Sequence, residues 1–233
     1  MQFSNNEKEI INTSQKIYDS FNAFIFSNDT KVLSKLIART LLFNKVIDVP
    51  GDIVECGVFK GSGIVSWLKI KNIISPNIFK KIIGFDFFDT NKLLTSLTGA
   101  DKERMENLFL SRNFNLNENY IPILKEIIKN IGFDESNFEL ISGDISTTSE
   151  EYVRNRPGAK ISLLYLDLDI ETPTYNTLKH FWDIISYGGI IVFDEYGYHQ
   201  WSEAKGVDAF FKDKKIKIRN LPYTAPTAYV IKE

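Results

Sequence analysis

Two short apolar runs, Ile161–Leu166 and Ile190–Phe193, flank an amphipathic stretch and constrain the fold of this chain more than any other feature. Runs of this length, rich in aliphatic side chains, suit strands covered on both faces, as in parallel sheets. Between them Pro173 fits the first turn of a helix, and Tyr175, Leu178, Phe181, Trp182 and Ile185 recur at helical spacing on one face. Gly188 and Gly189 are expected to end that helix and turn the chain into the second strand. The order strand, helix, strand predicts a right-handed parallel crossover.

Each predicted strand ends in carboxylates, Asp167 and Asp169 after the first, Asp194 and Glu195 after the second. Ligands of open parallel sheets bind beyond the carboxyl ends of the strands, so these acids are expected to converge on one rim. A single aspartate there is commonly just a helix cap. A group of carboxylates is different, because like charges repel and raise one another's pKa unless a cation or a proton intervenes. A divalent cation is therefore expected, and with no suitably spaced His or Cys pair nearby, all-oxygen ligation points to a hard ion such as Mg²⁺.

The 233 residues suit one α/β unit, with residues 1–48 as a helical cover and 49–233 as the core. Lys and Arg number 28 against 30 Asp and Glu, so no domain-wide basic footprint suggests nucleic acid. Cys56 is the only cysteine and sits in an apolar strand, which excludes an internal disulfide framework and suits a reducing cytosol. The N-terminus is polar, and no stretch approaches the ~18 apolar residues of a membrane span, so a soluble, cytoplasmic chain with no membrane partner is expected. Ile10, Ile11, Ile17, Tyr18, Phe21, Phe24 and Ile25 form one helical stripe. Val32, Leu33, Leu36, Ile37, Leu41 and Leu42 form a second after Asn28-Asp29-Thr30. Such stripes are expected to pack on the core, and they also admit a homodimer.

Pro50-Gly51 introduces GDIVECGVFKGSG. Ile53–Cys56 reads as a strand containing Glu55, followed by Gly57, Gly61 and Gly63 and a helix starting near Ser62. Such glycines let backbone approach a ligand, and the helix N-terminus offers N–H groups to an anion, although a plain tight turn gives the same pattern. It is not a P-loop, because no Gly-Lys-Ser/Thr follows. Lys81–Phe85 is a second strand ending in Asp86, placed to accept hydrogen bonds from ribose hydroxyls. Phe138–Ser142 is a third, ending in Gly143-Asp144. Residues 88–116, with Thr90, Thr95, Ser96, Thr98, Gly99 and the charged DKERMEN segment, suit a lid. Ala204–Phe211 reads as a helix, and Lys215–Ile218 and Ala228–Ile231 as a final hairpin-like pair. Of the two histidines, His199 lies just beyond the acid-rich strand and His180 reads as plain helix surface.

In this order GDIVECGVFKGSG, GFDFFD, ISGD, LLYLDLDIETPTYNTL and GGIIVFDEYG resemble the macrocin O-methyltransferase family, across roughly residues 35–212. The resemblance implies a Rossmann-like class I methyltransferase fold with helices on both faces of a mostly parallel sheet of seven strands, order 3-2-1-4-5-7-6, the last antiparallel. It also implies S-adenosylmethionine as cofactor. Glu55, Gly57, Gly61 and Ser62 would lie at its methionine end, Asp86 at the ribose and Asp144 beside the adenine, with Asp167 reaching the cofactor side too. Asp167, Asp194 and Glu195 would hold Mg²⁺ or Mn²⁺, and Asp169 would touch the substrate or the metal shell. The family typically has Asp-Asp where this chain has Asp194-Glu195.

The expected reaction is methylation of one of two vicinal hydroxyls on a sugar, in a nucleotide sugar, glycan or natural product. Asp167, Asp169 and His199 are the candidate general bases. Two alternatives stand beside it: methylation of a catechol-like small diol, and a non-catalytic binding protein on the same fold.

Overall fold

The computed structural model describes residues 4–112 and 119–233. The chain begins with two helices, α1 (Asn5–Ile25) and α2 (Thr30–Lys45), and Asp29 caps the second by accepting the Val32 N–H. The core then alternates strand and helix: β1 (Asp52–Cys56), α3 (Ser62–Ile74), β2 (Ile82–Asp86), α4 (Thr90–Ser96), α5 (Gly99–Ser111), α6 (Tyr120–Asn130) and β3 (Phe138–Ser142). It continues through α7 (Ile145–Asn155), β4 (Ile161–Leu166), α8 (Glu171–Phe181), β5 (Ile185–Phe193), α9 (Glu203–Phe211), β6 (Arg219–Asn220) and β7 (Ala228–Ile231). The seven strands form one sheet in the order β3-β2-β1-β4-β5-β7-β6, as expected. β7 runs antiparallel to β5 and to β6, and the other pairings are parallel.

The continuous apolar runs have the physical meaning the sequence suggests. Ile53, Ile82, Leu163 and Val192 face α2, α3 and α6, through Leu42, Trp67 and Leu124 among others. Their neighbours Val54, Ile83, Leu164 and Phe193 face α7, α8 and α9, through Tyr152, Phe181 and Val207. Successive strand residues point to opposite faces, so a sheet covered on both sides needs apolar residues at every position. A smaller cluster, Leu94, Met105, Phe109 and Ile170 with Trp201 against it, docks α4 and α5 onto the loops after β4 and β5. Residues 113–116 of the expected lid lie outside the described residues.

Three local expectations are corrected. The crossover helix ends at Phe181, a 3₁₀ turn covers Trp182–Ile184, and Ile185 already pairs with Ile161 in β5. Gly188 and Gly189 thus lie inside the strand rather than ending a helix. The pairing tolerates them through a register shift opposite Ile161/Leu163, and the Gly188 N–H donates to the Lys232 carbonyl at 2.7 Å. Lys215–Ile218 is not a strand: the Ile216 N–H bonds locally to the Lys214 carbonyl at 2.8 Å, and ladder pairing begins at Arg219. Finally, most of the N-terminal stripe residues face outward, although Leu42 of the second stripe packs into the core. Ile17, Tyr18, Phe21 and Ile25 are exposed, as are Val32, Leu36, Ile37 and Leu41, while Ala38, Arg39, Leu42 and Phe43 form the buried side of α2. The side chains of Ile10 and Ile11 lie outside the described residues. Among the described residues, no helix is long and apolar enough to cross a membrane.

Candidate active site

The C-terminal edge of the sheet is where the backbone departs from ordinary geometry. Phe59, Phe88 and Asp169, with φ of 52°, 53° and 62°, are the non-glycine residues of positive φ among the described residues, and they follow β1, β2 and β4. Such conformations cost of order 1–3 kcal/mol each and gather at functional sites. Gly57, at φ 88°, makes the turn after β1, and a Cβ there would stand 1.9 Å from the Asp167 carbonyl oxygen. The β1 turn and the β4 tip are therefore in direct contact.

Around that contact the ladder continues past the strand ends. The Asp167 N–H donates to the Cys56 carbonyl and the Asp194 N–H to the Leu166 carbonyl, both at 2.9 Å. On the β2 side, the Asp86 carboxylate accepts the Phe59 and Phe88 N–H groups at 2.8 Å each, so it ties the glycine turn to its own strand tip. Burial raises the pKa of Asp86, and those backbone donors oppose the rise. Within β1, Glu55 is buried against Gly63, where a Cβ would lie 1.9 Å from Oε1. Gly61 is filled from the other side by Leu124. Gly61 and Gly63 thus serve close packing of α3 and α6 as well as any ligand.

Asp167 and Asp194 converge on a single point, and a side chain absent from the sequence reading occupies it. Lys35 Nζ stands 2.8 Å from Asp167 Oδ2 and 2.7 Å from Asp194 Oδ2. One helical turn earlier, Lys31 Nζ lies 2.6 Å from Glu195 Oε1, and one turn later the Arg39 guanidinium lies 3.2 Å from Glu55 Oε1. The spacing Lys31, Lys35, Arg39 places the three on one helix face in the sequence, since residues four apart are neighbours there, and says nothing of which acids they meet.

The acids outnumber these cations. Burial, with the charge of Asp167, pushes Asp194 up to about 7 against the pull of Lys35, and Tyr165 Oη donates to its Oδ1. Burial works against the Lys35 ammonium, yet Asp167 and Asp194 carry its pKa above the ordinary value. Asp169 is raised well above the carboxylate range by burial and then by Asp167, Glu195 and Asp194. Glu203, also unforeseen, is wholly buried at the start of α9, accepts the Glu195 N–H at 3.0 Å and is likewise raised by burial.

The other expected site residues make local contacts of their own. Ser62 is exposed at the start of α3, and Asp144 is exposed and caps α7 by accepting the Ser146 N–H at 2.9 Å. His199 is exposed, stacks on Tyr198, and lines a cavity of about 600 Å³ with Arg104, Asn107, Leu108, Gln200 and Trp201. His180 is corrected from plain surface: it is half-buried, and its Nδ1 lies 2.8 Å from the Oγ of buried Ser149, linking α8 to α7.

Chemically, Asp167, Asp194 and Glu195 are all-oxygen donors of the kind a hard cation takes, and Glu195 Oε2 is buried without a hydrogen-bond donor. As arranged, the lysines take up the carboxylates, and among the described residues no group of three or more His, Cys, Asp or Glu surrounds one ion position.

Comparison with known proteins adds the following. The profile of the macrocin O-methyltransferase (TylF) family matches residues 35–221. No curated protein matches the chain. Among solved structures, the calicheamicin methyltransferase CalS11 superposes with a TM-score of 0.70 at 22 % identity, covering 99 % of this chain and 94 % of that one. Its apo form, described as a TDP-rhamnose 3′-O-methyltransferase of calicheamicin biosynthesis, gives 0.71 at 22 % identity over 99 % and 96 %. The O-methyltransferase NovP gives 0.65 at 18 % identity over 84 % and 78 %. These structures share the class I methyltransferase fold with this chain.

Proposed function

Because the chain belongs to the macrocin O-methyltransferase family, whose members methylate sugars with S-adenosylmethionine, we propose that it methylates one of two vicinal hydroxyls of a small sugar acceptor, such as a nucleotide sugar. The observation that carries this reading is the convergence of Asp167 and Asp194 on one point beside the Gly57 turn.

S-adenosylmethionine, when bound, supplies a methyl group already activated on a sulfonium, and a divalent cation held by Asp167, Asp194 and Glu195 would supply charge that acidifies an acceptor hydroxyl. Glu55, Gly57, Gly61 and Ser62 hold the methionine end. Asp86 takes the ribose hydroxyls on its remaining lone pairs, a role supported by its fixed orientation under the Phe59 and Phe88 N–H groups. Asp144 would lie beside the adenine of the bound cofactor. Asp167, Asp169 and His199 are the groups able to receive the hydroxyl proton. α4 and α5, docked on the loops after β4 and β5, exclude water from the rim. The cavity at His199, Arg104 and Trp201 receives the acceptor. The single buried cysteine, Cys56, supports a reducing cytosol as the compartment, and the exposed stripes of α1 and α2 support a homodimer.

Calorimetric titration with S-adenosylmethionine and S-adenosylhomocysteine tests the cofactor assignment. Binding weakened by roughly tenfold or more in Asp86→Ala supports it, whereas a folded protein that binds neither compound removes it. Methyl transfer to a panel of nucleotide sugars tests the acid rim. Asp194→Asn is expected to abolish turnover with cofactor affinity retained, and full turnover would exclude the rim from the reaction.

A further inference from the structure

The cavity beside His199 differs in charge from the acid rim. Its volume is about 600 Å³, and no acid is among the described residues that line it. Arg104, Asn107, Gln200 and Trp201 bring side-chain N–H donors, and Leu108 and the Trp201 ring bring apolar surface. The guanidinium is charged at every working pH and offers five donors in a planar fork, a shape that matches phosphate oxygens in pairs. Asp101, one helical turn earlier, takes only part of that fork. Its Oδ1 lies 3.5 Å from Arg104 Nη1, and the Arg104 side chain stays half-exposed.

Asp101 is itself held from the side of the acid rim. Its Oδ2 accepts the Ser202 hydroxyl at 3.0 Å, and the Ser202 oxygen accepts the Glu171 N–H at 2.9 Å. The Ser202 and Glu203 N–H groups both donate to the Asp169 carbonyl, at 3.0 and 3.1 Å. Trp201 packs on the cluster that contains Met105 of α5 and Ile170. One bonded unit thus carries both the Arg104 side of the cavity and the loop at Asp169.

We propose that Arg104 is an acceptor-specificity residue: its guanidinium grips a phosphate of the acceptor, so the chain methylates a sugar carried on phosphate or diphosphate in preference to a neutral glycoside. The inference rests on the reading above that this cavity receives the acceptor of a methyl transfer. A phosphate engages the donors of the fork that Asp101 leaves, whereas a neutral glycoside brings no charge to meet them. The Trp201 ring adds a face on which a nucleoside base can stack.

The test titrates inorganic pyrophosphate, and separately thymidine diphosphate, into the full-length chain saturated with S-adenosylhomocysteine in metal-free buffer. The wild type should bind both, and Arg104→Gln should weaken both by about tenfold or more. Retained S-adenosylhomocysteine affinity in Arg104→Gln reports that the variant is folded. Arg104→Lys keeps the charge without the fork and should recover part of the loss. Lys102→Gln, which removes a charge from the same helix outside the cavity lining, should stay within about twofold. Tighter binding of thymidine diphosphate than of pyrophosphate identifies a nucleotide-linked sugar, and equal binding a sugar phosphate. Equal affinities in wild type and Arg104→Gln would overturn the phosphate assignment and leave the methyltransferase reading standing. So would a wild type that takes S-adenosylhomocysteine but neither phosphate compound. A folded chain that does not bind S-adenosylhomocysteine would overturn the methyltransferase reading and the phosphate assignment with it.

Discussion

Arg39 and Glu55 form an ion pair of 3.2 Å in which the two side chains are only 7 % and 2 % exposed. The guanidinium also lies over the Tyr165 ring, 4.8 Å from its centroid, and over Trp67. Removing one partner of a buried pair strands the other, which costs about 3–5 kcal/mol. Arg39→Met is thus expected to lower the unfolding free energy by about that amount in denaturant titration, and Glu55→Gln added to it should recover a large part. If Arg39→Met cost no more than a surface substitution, the pair would not anchor α2.

The Gly57 turn admits no side chain. Its φ is 88°, and a Cβ would stand 1.9 Å from the Asp167 carbonyl oxygen, which belongs to backbone and cannot rotate away. Gly57→Ala should therefore destabilise the chain by about 2 kcal/mol or more and displace the Asp167 tip, measured as a fall in melting temperature together with lost cofactor binding. Gly158→Ala, where nothing lies within 4 Å of the added carbon, is the matched control and should change little.

Asp86 has a second expected effect beyond cofactor affinity. Because its two oxygens accept the Phe59 and Phe88 N–H groups at 2.8 Å, Asp86→Ala should leave both donors unpaired and loosen the glycine turn. Amide exchange at residues 57–61 is expected to quicken in Asp86→Ala without ligand present. Unchanged exchange there would mean that Asp86 does not hold the turn.

His180 gives a pH dependence of stability. Burial lowers its pKa below the ordinary 6.5, so the folded chain favours the neutral ring. Its contribution is whole above the unfolded value. As pH falls through about 6.5 the unfolded chain takes up a proton that the folded chain resists, and stability drops until the folded ring is protonated too. The unfolding midpoint of the wild type should accordingly fall more between about pH 7.5 and 5.5 than that of His180→Gln. An identical fall in both would assign the slope to other groups.

The exposed stripe of α1 carries Ile17, Tyr18, Phe21 and Ile25, at 66, 61, 56 and 44 % exposure. Stable dimers bury about 800 Å² per partner, and such an interface needs a contiguous exposed apolar face of this kind. Sedimentation is expected to show a dimer that Phe21→Glu converts to monomer. A wild-type monomer at micromolar concentration would leave the stripe to another partner.

What the sequence determined by itself was everything that a local apolar run can specify. Ile161–Leu166 is a strand with the bounds read from the chain, because a strand buried on both faces leaves an unbroken aliphatic signature, and the partly buried Phe138–Ser142 and Ala228–Ile231 also keep the bounds read from it. The acids at their ends were legible for the same reason, since where a parallel strand stops fixes which edge its last residue reaches. Local patterning misled where pairing overrode it. Gly188-Gly189 signalled a helix stop, yet β4 and β7 on either side hold the segment in β5. Only the tertiary structure decided what meets the acids. Lys35 lies 132 residues from Asp167 in the chain, and no period or motif links an ammonium on a helix to a carboxylate on a strand tip. The packing of α2 across the sheet edge makes them neighbours, and the mutual burial of opposite charges holds them there.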